Sequence, residues 1–149
     1  MIHTDFDDFA AEAHPRLRRA LIATRGVDGA ADAAAEALAY AWEHWDRIRV
    51  MDRPLGYLFR VGQSKTRSRR QACLPPPEIL GVPDLEPKLV PALQSLPEQQ
   101  RTVIWLVHAC QWTHAEVAEA LDITASSVAT HGSRALMKLR SLLEVDCSA

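Results

Sequence analysis

The feature that most constrains this chain is a proline-rich stretch near its middle. Seven of the nine prolines lie between Pro75 and Pro97, and the stretch "LPPPEILGVPDLEPK" has no sustained helical or strand periodicity. Proline fixes φ and lacks an amide hydrogen, so we interpret residues 72–87 as a linker of mostly extended backbone, which can span on the order of 50 Å. The sequence therefore predicts two domains, residues 1–71 and 88–149, that can act at separated points on one partner.

On both sides of this linker the apolar residues recur at helical spacing, and no stretch alternates as a strand does. In the first part we expect a helix capped by Thr4 and bent or interrupted at Pro15, a break at "GVDGA", a second helix from Asp28 or Asp32, and a third with Pro54 in its first turn. In the second part we expect a short helix near 88–95 and further helices over about 98–109, 113–121 and 124–140. The predicted fold class is all-α, with two small helical domains.

The apolar positions of these helices predict the core. We expect the four tryptophans, Trp42, Trp45, Trp105 and Trp112, to serve in core packing. On the last helix, the inward-facing positions are Val128, Ala135, Leu136 and Leu139.

Charge is distributed unevenly along the chain. The formal net charge is −2, yet residues 47–70 alone carry eight cations and one anion. Such a block produces a local positive field that suits a polyanion such as DNA, although a solvated basic helix face gives the same count.

The sharpest pattern lies in the second part. Thr113 and Glu116 form a capping box at the start of one helix, and Thr124 caps the next after the tight turn "LDIT", in which Asp122 is expected at positive φ. This is helix-turn-helix spacing, and a major groove admits the second helix. Its candidate DNA-contacting residues are Ser126, Ser127, Ala129, Thr130, His131, Arg134 and Lys138.

The stretch "LPEQQRTVIWLVHACQWTHAEVAEALDITASSVATHGSRALMKLR" resembles region 4 of bacterial sigma factors of the extracytoplasmic-function (ECF) group, within the sigma-70 family. LuxR-type helix-turn-helix domains share most of this pattern. The first part discriminates between the two, because "AADAAAEALAYAWEHWDRI" and "PLGYLFRVGQSKTRSRR" are similar to two motifs of the ECF group's region 2.

The resemblance implies a role for each of these two motifs. The first would bind core RNA polymerase through Asp32, Glu36 and Trp42. The second would contact and open promoter DNA through Tyr57, Arg60, Gln63, Ser64, Lys65, Arg67 and Arg70.

The chain also departs from the family pattern. Ala35 replaces a usual glutamine of the polymerase-binding motif, and Gln63 and Ser64 replace an Arg-Asn pair. In the second part, Ala129 and His131 replace cations that normally meet phosphates, so we expect this domain alone to bind DNA weakly.

These observations predict a sigma factor that binds core RNA polymerase and promoter DNA, with an anti-sigma factor as a further possible partner. Two alternatives stay open: a sigma-like DNA-binding regulator that does not initiate transcription, and an adaptor that binds polymerase or an anti-sigma protein. We expect no enzymatic activity, because the chain has no glycine-rich phosphate loop, GxSxG or HExxH motif. We also expect no cofactor, no metal and no membrane segment, and a cytoplasmic location, since the start "MIHTDFDDFA" does not resemble an export leader.

Overall fold

The computed structural model describes residues 2–65 and 88–144, which we call the N-terminal and C-terminal segments. Within these residues there are seven α-helices and no strand: α1 Ile2–Glu43, α2 Trp45–Ile48, α3 Pro54–Lys65, α4 Leu89–Ser95, α5 Glu98–Ile104, α6 His114–Leu121 and α7 Ala125–Glu144. The all-α prediction is confirmed. The predicted linker, residues 72–87, lies outside the described residues, and the division into two domains stays a prediction.

The long helix α1 folds back on itself at Gly26. This residue has φ 71° and ψ 177°, and it is the one position inside α1 that departs from helical geometry. At about 1.5 Å per residue, a straight helix would separate Phe6 from Trp42 by roughly 54 Å, yet their ring centroids lie 5.0 Å apart. Residues 2–25 and 27–43 therefore pack as an antiparallel pair. The break predicted at "GVDGA" is confirmed, whereas the helix runs through Pro15 without the interruption predicted there.

Small residues let α3 pack closely against α1. Helix α3 begins at Pro54, as predicted, because proline tolerates the first helical turn. A Cβ atom on Gly62 would lie 3.0 Å from the carbonyl oxygen of Ala33. The end of α3 is also tied to α1 by Arg25, which donates to the carbonyl of Gln63.

The predicted helix-turn-helix is present in the C-terminal segment. Helix α5 continues into a π-helical turn, Trp105–Ala109, and α6 follows after Thr113. The capping box is confirmed, since the Glu116 amide donates to Thr113 Oγ1 at 3.1 Å and the Thr113 amide to Glu116 Oε1 at 3.4 Å. Asp122 ends α6 with φ 55° and ψ 48°, as predicted for the turn.

The two segments share one apolar core. Phe59 of α3 lies edge-on against Trp112 of the C-terminal segment, with ring centroids 5.8 Å apart, and both side chains are buried. Trp105 donates its indole hydrogen to the carbonyl oxygen of Arg19 at 2.9 Å. A smaller cluster, entirely within the C-terminal segment, contains Ala92, Leu96, Ile104, Ala135 and Leu139.

Two predicted core positions are wrong. Leu136 is 42% exposed, because the buried stripe of α7 runs through Val128, Ala135 and Leu139 and leaves the next residue at its edge. Trp42 is 43% exposed although its ring contacts Phe6, because it lies at the edge of the exposed side of α1, whereas Trp45, Trp105 and Trp112 are buried as predicted. None of the described helices is long and apolar enough to cross a membrane.

Candidate functional site

The start of α7 is built by side chains that hydrogen-bond to the backbone. Thr124 caps the helix by accepting a hydrogen bond from the Ser127 amide at 3.1 Å. One turn later, the Thr130 hydroxyl donates to the Ser126 carbonyl at 3.0 Å. These bonds fix the first turns of the helix, which in a helix-turn-helix carry the residues that meet the bases.

The outer side of α7, which we call the α7 face, carries the seven candidate DNA-contacting residues. Ser126, Ala129, Thr130, Arg134 and Lys138 are exposed, and Ser127 and His131 are half-buried. Nδ1 of His131 is buried and has no hydrogen-bond partner among the described residues, so Nε2 is the ring nitrogen left for an outside group. The α7 face thus offers hydroxyl groups at its start and two cations further along.

The candidate DNA-contacting residues of α3 lie together on one side, which we call the α3 face. Tyr57, Arg60, Gln63 and Ser64 line a cleft of about 500 Å³ between the segments. Its opposite wall belongs to the C-terminal segment and includes Glu98, Leu121 and Asp122. Lys65 ends α3, and Arg67 and Arg70 lie outside the described residues.

Most of the α3 face is already hydrogen-bonded. Arg60 pairs with Glu119 of α6, at 3.5 Å between Nη1 and Oε1. Gln63 donates to the Thr24 hydroxyl at 3.0 Å, and Ser64 to the Val61 carbonyl at 3.1 Å. A ligand that binds the α3 face must therefore replace these hydrogen bonds with hydrogen bonds of its own.

Tyr57 belongs to an aromatic and cationic cluster that the sequence analysis missed. Its hydroxyl lies 3.1 Å from the Tyr40 hydroxyl, and Arg47 donates to it at 3.2 Å. His44 stacks on Tyr40 with ring centroids 4.1 Å apart. The hydrogen bond with Tyr40 and partial burial raise the pKa of Tyr57, so the phenol stays neutral. Sequence spacing does not join Tyr57, Tyr40 and Arg47, because they come from three different helices, α3, α1 and α2.

The candidate polymerase-binding residues lie on the second half of α1. Asp32 and Glu36, one turn apart, are both exposed. Helical periodicity places Asp28 and Glu43, also exposed, on the same side, and Trp42 lies at its edge. This acidic stripe, which we call the α1 face, is longer than the pair that the motif identified.

His, Cys, Asp and Glu side chains in residues 2–65 and 88–144 form no group of three that could hold a metal ion. Cys110 is half-buried, and desolvation raises the pKa of its thiol to about 12.

Comparison with known proteins gives the class of protein to which this architecture belongs. Residues 88–139, about a third of the chain, match the family "Sigma-70, region 4". The sigma factor RpoE from Bartonella quintana, solved in complex with the anti-sigma factor NepR, matches with a TM-score of 0.68 and 22% identity over 95% of this chain and 98% of that one. CnrH, solved in complex with the cytosolic domain of CnrY, matches with a TM-score of 0.69 and 24% identity over 97% and 90%. No curated protein sequence gives a significant match.

Residues 88–139 therefore match sigma-70 region 4, and the chain as a whole has the fold of these two solved structures. The resemblance to ECF sigma factors of the sigma-70 family is confirmed.

Proposed function

We propose that this protein binds core RNA polymerase and directs it to specific promoters. The observation that carries the proposal is the α7 face, an exposed row of hydroxyl groups and cations on the second helix of a helix-turn-helix, inside a region 4 match. A helix presented in this way can enter a major groove, where base edges are read by side chains.

The α1 face supports the polymerase-binding half of the proposal. Its exposed carboxylates form a continuous stripe with Asp32 and Glu36 at the centre. No cation is paired with either of these two carboxylates within 4.0 Å among the described residues, so the stripe is open to a basic partner surface. In the ECF group the matching helix binds the polymerase clamp.

The α3 face supports contact with the downstream promoter element. It places an aromatic ring, a guanidinium and two amide or hydroxyl groups side by side, a combination that suits unstacked bases and their phosphates. The proposal assigns promoter opening to this face.

Run-off transcription with purified core enzyme tests the proposal. We expect promoter-dependent transcripts when the protein is added to core polymerase and a library of upstream fragments. DNA binding without transcripts would favour the DNA-binding regulator, and polymerase binding without sequence-specific DNA binding would favour the adaptor.

A first prediction concerns the α1 face. Reversing Asp32→Lys and Glu36→Lys should weaken pull-down of core polymerase at least ten-fold, because two attractive pairs become repulsive. The matched control reverses Asp8 and Glu12, an exposed pair with the same spacing on the first half of α1. Equal loss in both double variants, or none in the first, would contradict the assignment.

We also propose an anti-sigma partner. The RpoE and CnrH structures each hold a bound protein, which is an anti-sigma factor in the case of RpoE. Met137 and Leu136, which are exposed on α7, offer apolar area for such a partner. The proposal predicts a protein that binds this chain and suppresses its run-off transcription. It also predicts that Met137→Glu abolishes this suppression. Suppression that Met137→Glu leaves unchanged would contradict the contact at Met137.

A further inference from the structure

The cleft of about 500 Å³ that borders the α3 face has the size of a small-molecule site. A second cleft, of about 270 Å³, shares Thr24, Gln63, Glu98 and Leu121 with it, so the two clefts join. Binding sites for small molecules are commonly concave spaces of about 300–1,000 Å³. The chemistry of the lining therefore decides which class of small molecule this cleft suits.

The N-terminal segment contributes cations to the cleft. Arg25 is 6% exposed and its guanidinium donates to the Gln63 carbonyl, so its charge is held at a fixed place. The side chain of Arg60 is 42% exposed and lies 3.5 Å from the Glu119 carboxylate. A pair as exposed as this one contributes little to stability, because solvent screens the attraction. Arg60 can therefore turn to an anionic group in the cleft at small cost.

The C-terminal segment contributes carboxylates. Glu98 begins α5 and Asp122 ends α6, and both residues are exposed. Among the residues that the structure describes, neither of these carboxylates forms an ion pair within 4.0 Å. Apolar side chains and one aromatic ring also line the cleft, namely Val61, Ala120, Leu121 and Tyr57. The lining thus combines two guanidinium groups, two carboxylates and an apolar surface.

These charges select a ligand that carries one charge of each sign. A nucleotide would bring its phosphates towards the two carboxylates, and a polyamine would bring its ammonium groups towards the two guanidinium groups; like charges repel in both cases. A zwitterion avoids both penalties, because its anionic group can pair with a guanidinium through two parallel hydrogen bonds and its cationic group with a carboxylate. The apolar part of the lining suits an apolar substituent on the same molecule.

We propose that this cleft binds a free amino acid with a large apolar side chain. Its carboxylate pairs with Arg60, and its ammonium group pairs with the carboxylates of Glu98 and Asp122. The binding involves neither DNA nor polymerase and is independent of the proposed function. One consequence does rest on that function: the cleft shares Arg60 and Tyr57 with the α3 face, so the amino acid and promoter DNA would compete for these side chains.

Isothermal titration calorimetry of the full-length chain with L-phenylalanine and L-leucine tests the site. Two derivatives separate the charges of the ligand, because N-acetyl-L-phenylalanine lacks the ammonium group and L-phenylalaninamide lacks the carboxylate. We expect both amino acids to bind, and each derivative to bind at least ten-fold more weakly than L-phenylalanine. Absence of binding by both amino acids, or a derivative that binds as tightly as L-phenylalanine, would overturn the proposal.

Variants assign each charge of the ligand to its side chains. Arg60→Gln should weaken binding of L-phenylalanine at least ten-fold and leave it no tighter than binding of L-phenylalaninamide, because the carboxylate has lost its partner. Glu98→Gln combined with Asp122→Asn should likewise remove the advantage of L-phenylalanine over its N-acetyl derivative, and asparagine tolerates the positive φ at position 122. The matched controls are Arg18→Gln and Asp8→Asn, which change exposed residues of α1 outside the cleft lining.

The controls should bind L-phenylalanine within two-fold of wild type. A loss in the controls as large as in Arg60→Gln would overturn the proposal. If a variant fails to fold, as judged by circular dichroism, the comparison of L-phenylalanine with its two derivatives on wild type decides alone. Failure of the proposed function gives a different result, because run-off transcription would then be absent while calorimetry still reported binding of the amino acid.

Discussion

At the scale of single residues, backbone conformation fixes the turns of the C-terminal segment. Among the described non-glycine residues, Gln111 and Asp122 have positive φ, at 58° and 55°. The sequence predicted Asp122, because it stands at the turn between two capped helices. It did not predict Gln111, since the π-helical turn before it has no recognised sequence pattern.

These two residues lead to a prediction about stability. Asp122→Gly should raise the free energy of unfolding by up to about 1 kcal/mol, because glycine adopts this conformation without a Cβ penalty. Gln111→Gly should gain at least as much, since aspartate tolerates the left-handed region better than glutamine does. Urea denaturation measures both. A loss of stability in Asp122→Gly would mean that its carboxylate makes a stabilising interaction in the turn.

At the scale of elements, the periodicity of apolar residues predicted the positions of the helices along the chain. It was less successful in predicting which of their side chains are buried. Helix α6 followed from its capping box, a local pattern of two residues, Thr113 and Glu116, that are three positions apart. The exposure of Leu136 did not follow, because it depends on how α7 rotates against α4 and α5. The candidate residues of α7 were identifiable because the buried stripe leaves them on the opposite side.

A prediction for α7 concerns position 129, where the helix has an alanine and no positive charge. Ala129 is exposed on the α7 face, where sigma factors of the ECF group carry a positive charge. Ala129→Lys should add about one phosphate contact and steepen the slope of log affinity against log salt by roughly 0.9. Binding to duplex DNA across a salt series measures this slope. The control is Ala11→Lys, since Ala11 is an exposed alanine on α1 away from all three faces. This control variant should leave the slope unchanged. If Ala129→Lys also leaves the slope unchanged, the α7 face is not part of the DNA interface.

At the scale of the whole molecule, the sequence predicted two helical bodies but not their contact. Phe59 and Trp112 are apolar residues on different sides of the proline-rich stretch, and nothing in their spacing pairs them. From the sequence alone, Gly56 is a residue that weakens a helix. The structure shows why it is there, because the backbone of α6 lies directly against it. Long-range packing of this kind depends on shape complementarity, which composition and periodicity do not encode.

The shared core leads to a prediction about cooperativity. Phe59→Ala should lower the free energy of opening in α6 as well as in α1, by about 3 kcal/mol in each, because Phe59 packs in the core that both segments build. Hydrogen exchange of the slowest amides in the two helices measures this. Unchanged protection in α6 would mean that the segments unfold independently.

The tight fit at Gly56 has a genetic consequence. Every missense change of a single base in a glycine codon introduces a residue that carries a Cβ atom. The close packing of α3 on α6 is therefore one point mutation away from disruption, and alanine disrupts it without weakening α3 itself, because alanine favours a helix over glycine. Changes at this codon should therefore recur among spontaneous alleles that destabilise the protein.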